Sequence, residues 1–134
     1  MGVPASGSRD LVRPPARRIE RAGVDRLRCI LAEQKRAVKN KNADGYFRTN
    51  SQLHGAIAAG AGNARLEQIL RNLENQMRIA LNRIAGDERH IRAGYDEHRR
   101  VIEAIAAGDE HAAGEAMRSH MANTVARLRA SVAT

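Results

Sequence analysis

The chain has little of what several fold classes and environments require. Its single cysteine, Cys29, excludes an internal disulfide, which fits a reducing cytoplasm. No apolar run reaches the roughly 18–20 residues of a membrane span, and the first eight residues lack the apolar stretch of a signal peptide. Tryptophan is absent and only Tyr46, Phe47 and Tyr95 are aromatic, so aliphatic side chains and alanine must fill the core. With only three prolines, the 134 residues favour one cytoplasmic all-α domain with no membrane association.

Positive charge is concentrated in the first third of the chain. Residues 1–41 hold 11 Lys and Arg against 4 Asp and Glu, while the remainder of the chain, with a net charge of +1, is almost balanced. Such a segment can bind a polyanion, including nucleic acid. However, no aromatic side chains interleave these charges to stack on bases. A basic helical polyanion-binding module and a merely solvated helix face therefore both stay open.

Apolar periodicity predicts an antiparallel bundle of about five to six helices. Residues 1–15 are predicted to form a flexible leader, because the pair Pro14-Pro15 disfavours helix there. The folded domain should therefore span 16–134. Asp44 is predicted near the start of the second helix, with Gly60 and Gly62 at its end. Gly94 is a possible break, and Gly108 should follow the end of a helix. The helices are predicted at about 16–40, 44–59, 63–85, 87–107 and 109–131.

Three histidines fall on the apolar stripes of three different predicted helices. They are His54, His98 and His120, and Asn50 lies one turn before His54. An unpaired buried polar group costs roughly 2–7 kcal/mol, so each imidazole needs a partner. Imidazole nitrogen and amide oxygen suit Zn or Ni, and also Mn or Co. The spacing alone leaves two interpretations open, a shared metal site or three separately hydrogen-bonded core histidines.

A metal site of this kind also raises the alternative of a metal-dependent hydrolase, because a bound ion activates water. The sequence offers no obvious general base. Asp96 and Glu97 are predicted to point away from the stripe of His98, and Glu115 lies five residues before His120. His90 and His111, in the first turns of their helices, are predicted to be surface residues. We therefore expect that the protein is not an enzyme.

Four sequence motifs, in this order along the chain, resemble those of the FCD domain, the effector-binding domain of FadR-type regulators in the GntR family. They are D/N-x-x-x-H at 50–54, A-G-N-x-R-L at 61–66, E-H-x-x-I/V-x-x-A-I-x-x-G-D at 97–109 and A-M-x-x-H at 116–120. Together they extend the resemblance over about residues 24–129. The resemblance implies an all-helical bundle that senses a ligand for transcription regulation.

The resemblance also implies a ligand set and an effector. It places a divalent metal on Asn50, His54, His98 and His120, with the carboxylate of a small organic acid at the ion. Arg78 is the candidate effector contact. Asn50 stands where the family often has Asp, so metal affinity should be lower and anionic effectors less repelled.

Two further expectations concern partners. A homodimer is expected by resemblance only. The winged helix-turn-helix that the family places upstream is not found in this sequence, so we expect no specific DNA binding by this chain alone.

Overall fold

Four long helices dominate the structure, a computed structural model that describes residues 21–61, 68–72, 74–76 and 87–133. They are α1 (Arg21–Lys39), α2 (Ala43–Ala61), α3 (Glu88–Ala106) and α4 (Glu110–Ala133). Residues 68–72 and 74–76 are also helical, and we refer to them as the connecting helix. No strand occurs in these ranges, and the predicted all-α bundle is confirmed. The leader 1–15, Arg78 and most of the helix predicted over 63–85 lie outside the described residues.

Side-chain caps and one glycine set the boundaries of α3 and α4. The Asp87 carboxylate accepts hydrogen bonds from the N–H groups of Arg89 and His90 at the start of α3, and the Asp109 carboxylate accepts one from the Ala112 N–H in α4. Between the two helices, Gly108 has φ +71°, a left-handed conformation that glycine adopts without steric cost. The predicted role of Gly108 is thereby confirmed, and the short turn makes α3 and α4 antiparallel neighbours.

The start of α2 differs slightly from the prediction. Asn42 Oδ1 accepts a hydrogen bond of 3.0 Å from the Gly45 N–H, so Asn42 caps the helix two residues before Asp44. At the other end, α2 runs through Gly60 to Ala61, two residues beyond the predicted end, and Gly62 lies outside the described residues. A tight turn at residues 40–42 thus joins α1 to α2.

The core lies where α3 packs against both α1 and α4, and α1 packs against α2. Its main cluster consists of buried aliphatic side chains from all four long helices: Leu27, Ile30, Leu53, Ile57, Val101, Ile102, Ile105, Ala113 and Met117. A second cluster surrounds Tyr46 and includes Ala37 and Ile91. In the described ranges, no helix combines the length and apolar character that crossing a bilayer requires.

Gly94 does not interrupt α3, contrary to the prediction. The helix is continuous from Glu88 to Ala106, and Gly94 is buried within it. A Cβ atom at this position would lie 1.8 Å from the hydroxyl oxygen of Tyr46. Glycine is therefore required here because the Tyr46 side chain of α2 crosses directly over the α3 backbone.

Candidate metal centre

The structure brings together three histidines from three helices. His54 of α2, His98 of α3 and His120 of α4 are each no more than 3% exposed. One ring nitrogen from each lies within 4.8 Å of the others. The Nε2 atoms of His54 and His98 are 3.3 Å apart. These three imidazoles therefore form a single buried cluster.

Asn50 is also buried, at 3% exposure, one turn before His54 on α2. Residues four apart project from the same face of a helix. The amide of Asn50 thus lies on the face of α2 that carries His54, which makes it a candidate fourth ligand.

Gln34 of α1 fixes the ring orientation of His98. The Gln34 amide nitrogen donates to Thr49 Oγ1 at 3.2 Å and to the Tyr46 carbonyl at 3.4 Å. Its oxygen consequently faces His98 Nδ1, at 2.7 Å. Because an amide oxygen only accepts, His98 carries its proton on Nδ1. The lone pair of Nε2 is left facing the cluster.

Glu97 of α3 fixes the ring of His120 in the same way. His120 Nδ1 lies 2.7 Å from Glu97 Oε1 and donates to it. Nε2 of His120 is buried and has no hydrogen-bond partner among the described residues. Buried polar atoms are rarely left unpaired. An imidazole held through Nδ1, with Nε2 free, is the usual arrangement of a metal-bound histidine.

His54 directs its Nε2 atom towards Nε2 of His98. Its Nδ1 lies 3.3 Å from Glu74 Oε1, although not in line for a hydrogen bond. The Ser51 hydroxyl donates a hydrogen bond of 2.9 Å to the other oxygen of Glu74. The carboxylate favours a proton on Nδ1 of His54, so two Nε2 lone pairs oppose each other. A cation between them would convert this repulsion into two coordinate bonds.

Two sequence-based predictions about neighbouring residues are wrong. Glu97 points inward at 7% exposure, and His90 is buried at 3%. Both contact Arg127 of α4, whose Nη atoms each donate to the Glu97 carboxylate at 2.8 Å and whose Nε donates to His90 Nδ1 at 3.1 Å. They are buried because α3 packs against two helices and not one. His111 is exposed, as predicted.

The contact of Arg127 with Glu97 was not predicted from the sequence, although the spacing of Arg127 from His120 indicates it. It lies seven residues after His120, on the same face of α4. A long basic side chain at that spacing can reach a carboxylate beside the histidine.

The electrostatics keep His98 and His120 neutral and Glu97 ionised. Burial, with the nearby charges of His120 and His54, holds the pKa of His98 well below its usual value. Burial also lowers the pKa of His120, although the hydrogen bond to Glu97 opposes this. Burial alone would raise the pKa of Glu97, but the hydrogen bonds and charges of Arg127 and His120 outweigh it and hold the pKa at about 2. Neutral imidazole is the form that binds metal.

The burial of His90 predicts a pH dependence of stability. Burial and the Arg127 charge lower its pKa from 6.5 to about 4. Between these values the unfolded chain binds a proton that the folded chain does not. Stability should therefore be constant above about pH 6.5 and decrease towards pH 4.

Urea denaturation at several pH values, in the presence of chelator, measures this loss. His90→Gln should show a shallower decrease, because glutamine still accepts from Arg127 but does not titrate. The exposed His111→Gln should follow the unchanged protein. A decrease as steep in His90→Gln as in His111→Gln would exclude a contribution from His90.

A cavity opens beside the cluster, between α2 and the connecting helix. It has a volume of about 230 Å³ and is lined by Ser51, His54, Gly55, Leu70, Arg71 and Glu74. A water molecule occupies about 30 Å³ of liquid, so the cavity has room for a small organic molecule. Its wall carries both a guanidinium group and a carboxylate.

Comparison with protein-family models finds a match to the family described as the FCD domain, over residues 9–123. The matched range includes all three clustered histidines and Asn50. A comparison with curated proteins finds no significant match.

Proposed function

The chain belongs to the FCD family, the effector-binding domains of GntR-type regulators, and on that premise we propose that it senses a small organic acid at a metal centre. The observation that carries the proposal is the cluster of three buried imidazoles from three helices. The tautomers of His98 and His120 are fixed through Nδ1, which directs their Nε2 lone pairs inward. Nε2 of His120, which has no hydrogen-bond partner in the described ranges, and the facing Nε2 atoms of His54 and His98 both fit a cation.

Asn50, His54, His98 and His120 would hold the ion. Nitrogen and amide oxygen donors favour Zn or Ni, with Mn or Co as further candidates. The ion would supply a Lewis-acid position for a carboxylate oxygen. Because all four ligands are neutral, they leave the full positive charge of the ion in place, which favours an anionic effector.

The cavity beside His54 is the proposed place for the body of the effector. Its volume suits a small acid, and Arg71 lies in its wall. A guanidinium group pairs well with a carboxylate. We therefore propose Arg71 as an effector contact, beside the sequence-predicted Arg78, which lies outside the described residues.

Sensing would follow from differential binding. The three histidines belong to α2, α3 and α4, so a metal and effector bound among them favour one packing of these helices over others. A change in packing is what an attached partner or a second copy of the chain can read. The homodimer and the cytoplasmic location stay predictions.

The hydrolase alternative gains no support from the site. Two carboxylates lie beside the cluster. The oxygens of Glu97 accept hydrogen bonds from His120, Asn123 and Arg127. Those of Glu74 contact His54 Nδ1 at 3.3 Å and accept from Ser51 at 2.9 Å. A general base needs a free oxygen near the attacking water.

Calorimetric titration of acetate, succinate and citrate tests the proposal. At least one acid should bind Zn-loaded protein and not chelator-treated protein, and His120→Ala should abolish that binding. His111→Ala, at an exposed position of the same helix, should retain it. Binding that is equal with and without metal, or no binding of any of the three acids to the loaded protein, would contradict the proposal.

A further inference from the structure

Glu97 is a carboxylate at 7% exposure that accepts four hydrogen bonds. Oε1 accepts from His120 Nδ1 at 2.7 Å and from Arg127 Nη2 at 2.8 Å. Oε2 accepts from Arg127 Nη1 at 2.8 Å and from Asn123 Nδ2 at 3.0 Å. An ionised carboxylate offers about four lone-pair sites. All of them are occupied, so the group is fixed in one orientation.

One face of α4 supplies all four donors. His120, Asn123 and Arg127 are spaced by three and four residues and therefore share that face. Arg127 is held in turn by His90 Nδ1 at 3.1 Å and Thr124 Oγ1 at 3.4 Å. The same helix face thus presents the histidine and clamps the carboxylate that contacts it.

The three histidines differ in what holds their Nδ1 atoms. His98 has a neutral partner, the amide of Gln34. His54 lies near Glu74, but out of line for a hydrogen bond. Only His120 donates to a carboxylate in good geometry, the contact that both orients an imidazole and strengthens it as a metal donor.

We infer that Glu97 is a positioning residue of the metal centre: it fixes His120 with Nε2 directed at His54 and His98. This inference rests on the proposed function. Arg127 compensates the buried charge of Glu97, so the carboxylate acts on His120 through direction and donor strength. The competing role is a purely structural clamp, in which Glu97 and Arg127 only join α3 to α4.

Cobalt binding to the full chain distinguishes the two roles, because the visible spectrum of Co²⁺ reports its ligands. Glu97→Gln keeps the size and an acceptor oxygen but removes the charge. We expect it to weaken Co²⁺ binding about 10–100-fold, the usual effect of losing such a partner, and to shift the visible bands. Glu97→Asp, which keeps the charge on a shorter side chain, should restore part of the affinity.

Glu103→Gln is the matched control. Glu103 is an exposed residue of the same helix and pairs with Arg99 at 3.0 Å. The Glu103→Gln protein should bind Co²⁺ with the same affinity and visible spectrum as the unchanged protein.

A structural clamp predicts a different pattern. The chelated Glu97→Gln protein would melt earlier, while its folded fraction would bind Co²⁺ with the affinity and spectrum of the unchanged protein, and this result would overturn the inference. If Glu97→Gln does not fold, Asn123→Ala removes one donor to Glu97 and should weaken binding to a smaller extent. Unchanged affinity in folded Asn123→Ala would then overturn it. Failure of the unchanged chain to bind Co²⁺ would instead contradict the proposed function.

Discussion

Gly94→Ala is expected to destabilise the domain severely, although alanine is the better helix former. The new Cβ would lie 1.8 Å from Tyr46 Oη and 3.0 Å from Cζ. Tyr46 is 1% exposed, and its ring packs edge-on against Phe47, so it has no space into which to move. Overpacking a core typically costs about 1–3 kcal/mol, occasionally more, and an overlap of this depth places the variant at the upper end. Helix propensity returns only about 1 kcal/mol.

Urea denaturation of two matched variants isolates this contact. Gly55→Ala, on α2, meets no atom of the described residues within 4 Å and should be neutral or stabilising by up to about 1 kcal/mol. Adding Tyr46→Phe to Gly94→Ala removes the overlapping oxygen and should recover part of the loss. If Gly94→Ala proved as stable as Gly55→Ala, the close approach of the Tyr46 side chain to the α3 backbone would be wrong.

The second large effect that we expect is stabilisation of the folded chain by a bound metal ion. Because His54, His98 and His120 join three helices, an ion bound by them stabilises the folded chain. Zn²⁺ at 100 to 1,000 times its dissociation constant should add about 2.7–4.1 kcal/mol to the free energy of unfolding. His98→Ala should abolish this gain, since it removes the ligand from the helix at the centre of the core.

Thermal unfolding with and without Zn²⁺ measures the gain, and His111→Ala provides the control. His111 is exposed on α4, so its replacement should leave the metal-dependent shift intact. An equal shift in His98→Ala and His111→Ala would mean that the ion binds elsewhere.

Much of the bundle could be predicted from local signals. The turn from α3 to α4 follows from Gly108 and the cap residue Asp109, whose effects depend on a few adjacent residues. The inward placement of His54 and His98 follows from apolar periodicity, because both lie among aliphatic residues that repeat at helical spacing.

The surroundings of the histidines could not be predicted in this way. A single apolar stripe assumes that a helix packs against one partner, whereas α3 packs against α1 and α4. Glu97 and His90 therefore appear exposed in the sequence but face α4 in the structure. Gly94 is not a break but the residue that leaves room for Tyr46 of α2, a contact with another helix that the sequence of α3 does not reveal.

The most direct test of the account is the metal content of the protein purified without chelator. Mass spectrometry should find one divalent ion per chain in the unchanged protein and in His111→Ala, and almost none in His54→Ala or His98→Ala. Stoichiometric metal retained by both His54→Ala and His98→Ala would contradict the proposed centre.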